Sequence, residues 1–318
     1  METKILITQF IPKEGLSELF EKYYVIMPGK SGFTREEQLD LIQDAEVLLS
    51  LFNSPVDKEL LTAGKKLRMI ANFGVGYNNI DLEYARQRNL VVSNTPDPVT
   101  IPTAEHTLGL ILAVMRRISE MDRKLRQKQV TDWKVMSNLG FSLQNKTLGI
   151  VGMGKIGQAT AHMAQAFGMK VVYHSRNKID KSLETALKTT WLELNELLHQ
   201  SDVVSLHVPL TEQTKHLIGK CELVKMKDTA FIINTSRGPV INEAELVEAL
   251  NEKEIAGAAL DVFEAEPAIH QALLSMDNVV LTPHIGTGTI ETRIATAQCA
   301  ADNIVAFLQG KPVPNRVI

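Results

Sequence analysis

Short runs of apolar and β-branched residues recur along the whole chain, and most are followed by a stretch with helical spacing of its apolar positions. In the first half these runs fall at residues 5–8, 24–27, 47–51, 67–71 and 90–92, with helical stretches at 34–44 and 81–88. The pattern then starts again, with runs at 147–151, 170–173, 203–206, 230–233, 256–260 and 279–281. Strands alternating with helices build βαβ units, and βαβ units build parallel sheets covered on both faces. The expectation is an α/β chain of two doubly wound parallel-sheet domains with a cleft between them.

The joins are marked by turn formers. Ser93-Asn94-Thr95-Pro96-Asp97-Pro98 closes the first set of strands. After it, residues 101–127 read as one long helix, with Pro102 in its first turn and Arg116, Arg117, Arg123, Lys124 and Arg126 loading its far end. A second join falls at 282–288, and 289–308 reads as a terminal helix returning to the first domain. The predicted division is residues 1–98 plus 288–318 for a substrate-binding catalytic domain and 99–287 for a dinucleotide-binding domain.

Composition narrows the function classes. The chain has 318 residues, enough for two cores, and a net charge of −3 without a basic stripe, so nucleic acid is not an expected partner. The longest apolar runs, such as 108–114, are too short to span a bilayer, so no membrane partner is expected. Cys221 and Cys299 are far apart and lack metal-ligand spacing, which predicts buried or half-buried thiols in a reducing compartment, the cytoplasm, and no metal site.

The strongest local signal is Gly152-Met153-Gly154-Lys155-Ile156-Gly157, set between a buried strand and a helix. The first glycine permits the tight turn, the second admits a pyrophosphate to the backbone at the helix N-terminus, and the third allows close helix–strand packing. The pattern makes the second domain Rossmann-like. An acid closing the next strand would read the ribose hydroxyls of NAD, but that position is Ser175, followed by Arg176 and Lys178. This favours NADP(H), with NAD(H) still admissible.

Three loops at strand carboxyl ends carry reactive side chains: Asn234-Thr235-Ser236-Arg237-Gly238-Pro239, Leu260-Asp261-Val262-Phe263-Glu264-Ala265-Glu266-Pro267 and Thr282-Pro283-His284-Ile285-Gly286. An arginine, a carboxylate and a histidine beside a nicotinamide suit one reaction. The arginine clamps a substrate carboxylate bidentately, and the histidine, kept cationic by the carboxylate, protonates a keto oxygen as hydride arrives. Glu264 reads as a solvated neighbour of Glu266, His216 as a surface residue, and His106 as a packing residue.

With these segments, and with Asn72-Phe73-Gly74-Val75-Gly76-Tyr77-Asn78-Asn79-Ile80-Asp81 in the front half, the whole chain resembles the D-isomer-specific 2-hydroxyacid dehydrogenase family, in its glyoxylate/hydroxypyruvate reductase-like branch. The resemblance implies that Arg237 orients the substrate carboxylate and keto oxygen. It implies that Glu266 pairs with His284, and that His284 is the general acid of reduction. Asp261 would hold the nicotinamide carboxamide, and the backbone of Val75 and Gly76 the substrate carboxylate. Thr103, His207-Val208-Pro209, Thr235 and Gly286 would line the cofactor groove, and Met153, Lys155 and Ile156 would meet the pyrophosphate. Departing from the commoner family pattern, Ser175-Arg176 replaces an acid. The family also implies a homodimer, with 101–127 and the segment through Phe141 as its contact; Trp133 is expected to pack on the cofactor domain or a partner subunit.

The substrate is expected to be a small 2-keto acid or its 2-hydroxy acid, glyoxylate or hydroxypyruvate first, with Phe52, Asn53, Phe73, Tyr77 and Met136 as pocket candidates. Two other readings remain: a dinucleotide-sensing corepressor-like binding protein and a short-form phosphoglycerate dehydrogenase.

Overall fold

The structure, a computed structural model, describes residues 3–51, 54–130 and 132–318. The pocket candidates Phe52 and Asn53 lie outside the described residues. The chain divides into two compact units, residues 1–99 with 288–318, and residues 100–287.

In the first unit, β1 (Lys4–Ile7), β2 (Tyr24–Ile26), β3 (Val47–Leu51), β4 (Met69–Phe73) and β5 (Val91–Ser93) form one parallel sheet in the order β2-β1-β3-β4-β5. Every residue of β3 and β4 is buried, as a strand covered on both faces requires. One face packs against the terminal helix Ile290–Leu308 through Ala297, Ala300, Ala301 and Ile304. Gly15 makes that approach possible: a Cβ there would lie 2.4 Å from the Ile294 carbonyl oxygen. The predicted helix at 34–44 is an α-helix over Arg35–Leu41, started by a Thr34–Glu37 capping box, and then a 3-10 turn over Ile42–Asp44.

In the second unit, β6 (Thr147–Val151), β7 (Lys170–His174), β8 (Thr189–Trp191), β9 (Val203–Leu206), β10 (Phe231–Asn234), β11 (Gly257–Leu260) and β12 (Val279–Leu281) form a seven-stranded parallel sheet. Its order is β12-β11-β10-β9-β6-β7-β8, so chain direction across the sheet reverses between β6 and β9. That reversal is the topological switch point outside which open α/β sheets bind ligands. Apolar cores cover both sheet faces. Strand β8 was not anticipated: three residues on a sheet edge, two of them threonine, carry too little apolar signal to stand out.

The single helix expected over 101–127 is two, Thr100–Met115 and Ile118–Arg126, broken at Arg117, whose φ of 56° is left-handed. Such a conformation costs an L-residue about 1–2 kcal/mol. Offsetting contacts are visible. The Arg117 guanidinium donates to both oxygens of buried Glu120, at 2.6 and 2.7 Å, and to the Leu139 carbonyl at 3.2 Å. Lys124 donates to Glu120 at 2.6 Å, and the amide of Phe141 takes the Met115 carbonyl at 2.8 Å. Of the basic residues at the far end, Arg117 and Lys124 therefore meet buried Glu120, whereas Arg123 and Arg126 make exposed pairs with Asp277 and Asp122. Cys221, expected to be at least half-buried, is exposed, and Cys299 is half-buried.

The hydrogen bonds from Arg117 hold the Glu120 carboxyl below its ordinary value of 4.5, against the opposing effect of burial. A depressed folded-state pKa contributes stability that is present above the ordinary value and lost as pH falls through the folded one. Glu120→Gln should destabilise the second unit by about 3 kcal/mol at pH 7. Thermal melts should show the difference from the parent protein shrinking below the ordinary carboxylate pKa; a difference that is constant with pH would count against the charge of Glu120 as its cause.

Candidate active site

The glycine loop after β6 sits at the switch point. Gly152 has a φ of 103°, and a Cβ on it would lie 2.6 Å from the His207 carbonyl oxygen, so it lets the loops after β6 and β9 touch. A Cβ on Gly157 would lie 2.3 Å from the Gly152 carbonyl oxygen, which brings the helix Lys155–Ala166 close under the loop. Gly154 differs: it caps that helix without a side-chain bond, and a Cβ on it would meet nothing within 4 Å. Helix packing does not require glycine there, and the open space lies at a helix N-terminus that favours an anion. A dinucleotide pyrophosphate would fit the open space at Gly154. His207, beside the loop, is drawn down to about 4 by burial, and its Nε2 lies 2.9 Å from the Ser205 hydroxyl. It is neutral at physiological pH. Val208 and Pro209 continue from it, and a Cβ on Gly152 would lie 3.0 Å from Val208 Cγ1.

After β7 comes Ser175, the position expected from the sequence to meet the ribose, with no carboxylate on it. Its hydroxyl donates to the Asn177 carbonyl at 2.6 Å, and Arg176 and Lys178 are exposed.

The reactive residues follow β10, β11 and β12. Buried Asn234 folds the turn that presents Arg237: its amide donates to the Arg237 carbonyl at 2.9 Å, and its oxygen accepts from the Ser236 amide at 3.0 Å. Burial draws the Arg237 guanidinium down from its ordinary value, and the charge of Glu266 opposes this. A Cβ on Gly238 would lie 1.9 Å from the Phe263 carbonyl, so the Arg237 turn lies flat against the loop that carries Glu266. Glu266 accepts from the Phe263 amide at 3.0 Å and faces His284 Nδ1 at 2.9 Å. Burial pushes the Glu266 carboxyl up, but the hydrogen bond and charge of His284, the Phe263 amide and the charge of Arg237 together hold it below the usual range. It is a carboxylate at neutral pH.

Glu264 is partly exposed, as expected of a solvated residue, but it is also partnered. Its carboxylate meets His216 Nε2 at 2.5 Å and the Glu243 amide at 3.1 Å. The two glutamates of the loop thus face different partners, and His216 is anchored.

Asp261, 1% exposed, holds the His284 loop. It accepts from the Thr282 hydroxyl at 2.6 Å, the Ile285 amide at 2.8 Å and the Gly286 amide at 2.8 Å. His106 Nε2 is 3.1 Å from the Thr282 oxygen and 3.3 Å from Asp261. Because the Thr282 hydroxyl donates to Asp261, His106 is the donor in its own contact with Thr282. Thr103 lies beside Gly286, and Thr107 links the Thr103 carbonyl at 2.8 Å to the Thr235 hydroxyl at 2.9 Å. Arg237, Glu266, His284, Asp261, Thr103, Thr235 and Gly286 are thus gathered in one unit. Thr107 and Thr282 were given no role of their own from the sequence; their hydroxyls matter through partners distant in the chain.

In the first unit, Asn72 and Asn94 take up the loop carbonyls after β4: Asn72 donates to the Gly74 and Gly76 carbonyls at 3.1 and 2.9 Å, and Asn94 to the Val75 carbonyl at 2.9 Å. The Val75 and Gly76 amides have no partner among the described residues. Tyr77 packs, half-buried, against the core of Val56, Leu60 and Ile80.

Asp261→Asn should turn an amide N–H toward a backbone or hydroxyl donor and cost about 1–3 kcal/mol. Hydrogen exchange at the Ile285 and Gly286 amides should accelerate; unchanged exchange would mean that Asp261 does not hold the loop.

Among known proteins, the sequence matches the family described as D-isomer specific 2-hydroxyacid dehydrogenase, NAD binding domain, over residues 108–286. It is 44% identical to the glyoxylate reductase of Thermococcus litoralis, an alignment covering 100% of this chain and 97% of that protein. The fold superposes on a glyoxylate reductase from Paecilomyes thermophila with a TM-score of 0.89 at 32% identity, covering 99% of this chain and 98% of that one. It also superposes, with a TM-score of 0.85 at 30% identity, on the NADPH-dependent glyoxylate/hydroxypyruvate reductase of Sinorhizobium meliloti bound to NADP and malonate, covering 100% of this chain and 97% of that one. With a nicotinamide-dinucleotide loop at its switch point and an arginine, a glutamate and a histidine at the ends of neighbouring strands, the chain belongs to the D-isomer specific 2-hydroxyacid dehydrogenase family and is an oxidoreductase of the CH–OH group.

Proposed function

We propose that the protein reduces small 2-keto acids, glyoxylate or hydroxypyruvate foremost, to D-2-hydroxy acids with NADPH. The observation that carries this reading is the 2.9 Å contact of His284 Nδ1 with a Glu266 carboxylate that stays ionised, beside the charge of Arg237. When bound, the reduced nicotinamide supplies a hydride to the substrate C2. His284 supplies the proton from Nε2 to the oxygen at that carbon, and Glu266 stabilises the imidazolium before the transfer. In oxidation His284 takes the proton back. Arg237 grips the substrate carboxylate with its planar fork, and burial strengthens that attraction. In the first unit, the amides of Val75 and Gly76, with no partner among the described residues, are donors of the kind a carboxylate takes.

NADPH is favoured because Ser175 offers the ribose no carboxylate to repel a 2′-phosphate, while Arg176 and Lys178 are exposed cations. The Thermococcus litoralis and Sinorhizobium meliloti proteins support the choice of glyoxylate and hydroxypyruvate. We also propose a homodimer. Trp133 is 84% exposed, Val135 90% and Met136 78%, an apolar segment that a second copy would cover. No helix among the described residues is long and apolar enough to cross a membrane, and the two unpaired thiols suit the cytoplasm.

Initial rates of NADPH and NADH oxidation with glyoxylate, hydroxypyruvate, pyruvate, a branched-chain keto acid and phenylpyruvate test the reading. Fastest turnover is expected for glyoxylate or hydroxypyruvate with NADPH, and absence of turnover with every acid overturns it. His284→Ala should lower kcat by about 100-fold or more. Arg237→Lys should mainly raise KM, because a point charge replaces a fork. Near-parental kinetics in either variant would remove that residue from its role.

A further inference from the structure

We infer that Trp191 is a specificity-determining residue: it holds Lys178 in place as the third element, with Ser175 and Arg176, of a bracket for a phosphate on the 2′ position of the adenosine ribose. The inference rests on the NADPH reading above. Trp191 ends β8 and packs against the same core as Ile179. Its ring N–H donates to the Ser175 carbonyl at 3.1 Å, which ties the indole to the ribose-reading position. Lys178 Nζ stands over the indole, 4.0 Å from the ring centroid. The chain behind this platform is joined to the pyrophosphate loop, because the His174 carbonyl accepts from the Gly152 amide at 2.8 Å and the His174 ring lies 5.9 Å from that of Trp191.

The kind of partner matters. A lysine paired with a carboxylate is largely neutralised; one resting on an aromatic face keeps its charge while its flexible chain is restrained. Neither Arg176 nor Lys178 makes an ion pair among the described residues. The nearby acid Glu184 feels the charge of Lys178 but is engaged by Lys181 at 2.9 Å and by the Tyr173 hydroxyl at 2.8 Å. That hydroxyl also accepts from the Ile179 amide at 3.1 Å, closing the loop from beneath. Lys178 is therefore ordered before a ligand arrives, which lowers the entropy cost of gripping a phosphate.

The test is calorimetric, with adenosine 2′,5′-bisphosphate and adenosine 5′-monophosphate as probes of the parent protein and its variants. The parent should bind the bisphosphate at least about tenfold more tightly. Lys178→Ala and Trp191→Leu should each reduce that ratio about threefold or more. The double variant should lose no more than Lys178→Ala alone, because Trp191 acts through Lys178. Trp191→Phe, which keeps an aromatic face, should retain most of the ratio. An unchanged ratio in Lys178→Ala, or additive losses in the double variant, overturns the bracket. A parent ratio near one overturns the NADPH reading itself, and the bracket with it. If Trp191→Leu fails to fold, the exposed Lys178→Ala and the mild Trp191→Phe still decide: equal ratios in the parent and Lys178→Ala, or a Trp191→Phe ratio as low as that of Lys178→Ala, refute it.

Discussion

The carboxylate of Asp261 is shut away from water, and an ionised group in such a place must find its donors within the protein or cost several kcal/mol. It finds them in the Thr282 hydroxyl and the amides of Ile285 and Gly286, with His106 alongside. Satisfying this one group dictates the path of the loop after β12. The His284 amide is drawn to the Asp261 carbonyl at 2.8 Å, and His284 takes a left-handed φ of 53°. That strain, of order 1–3 kcal/mol, is carried by the surrounding bonds, and it leaves the imidazole facing Glu266.

Sheet topology explains why these residues can meet. Arg237, Glu266 and His284 belong to loops that leave three adjacent strands, β10, β11 and β12, at their carboxyl ends. The glycine loop leaves β6 at the switch point. Glycines act where backbone must touch backbone: Gly152 against the loop after β9, and Gly238 against the Phe263–Glu264 peptide.

The two glutamates of one loop show how partners assign roles. Glu264 is taken up by His216 and by an amide at the start of the helix Glu243–Asn251. Glu266, two residues on, is left to His284 under the influence of Arg237. Their chemistry is identical; only what surrounds them differs.

Much of this was legible in the chain. Among the described residues, periodicity located eleven of the twelve strands, because strands buried on both faces are apolar at nearly every position. The glycine spacing and the missing acid at Ser175 are local features, readable wherever a strand precedes and a helix follows. Motifs marked Arg237, Glu266, His284 and Asp261, and the structure gathers them in one unit. What only the tertiary structure decided depends on partners distant in sequence. The break at Arg117 is held by the carbonyl of Leu139, far along the chain, as well as by the local pair with Glu120, so a pattern continuous with a helix is divided in two. The anchoring of Glu264 needs His216, which is 48 residues away. Strand β8 is too short and polar to announce itself, and its Trp191 matters through the lysine above it. Hydrophobic spacing is written along the chain, whereas the partner of a charge is chosen only when the chain has folded.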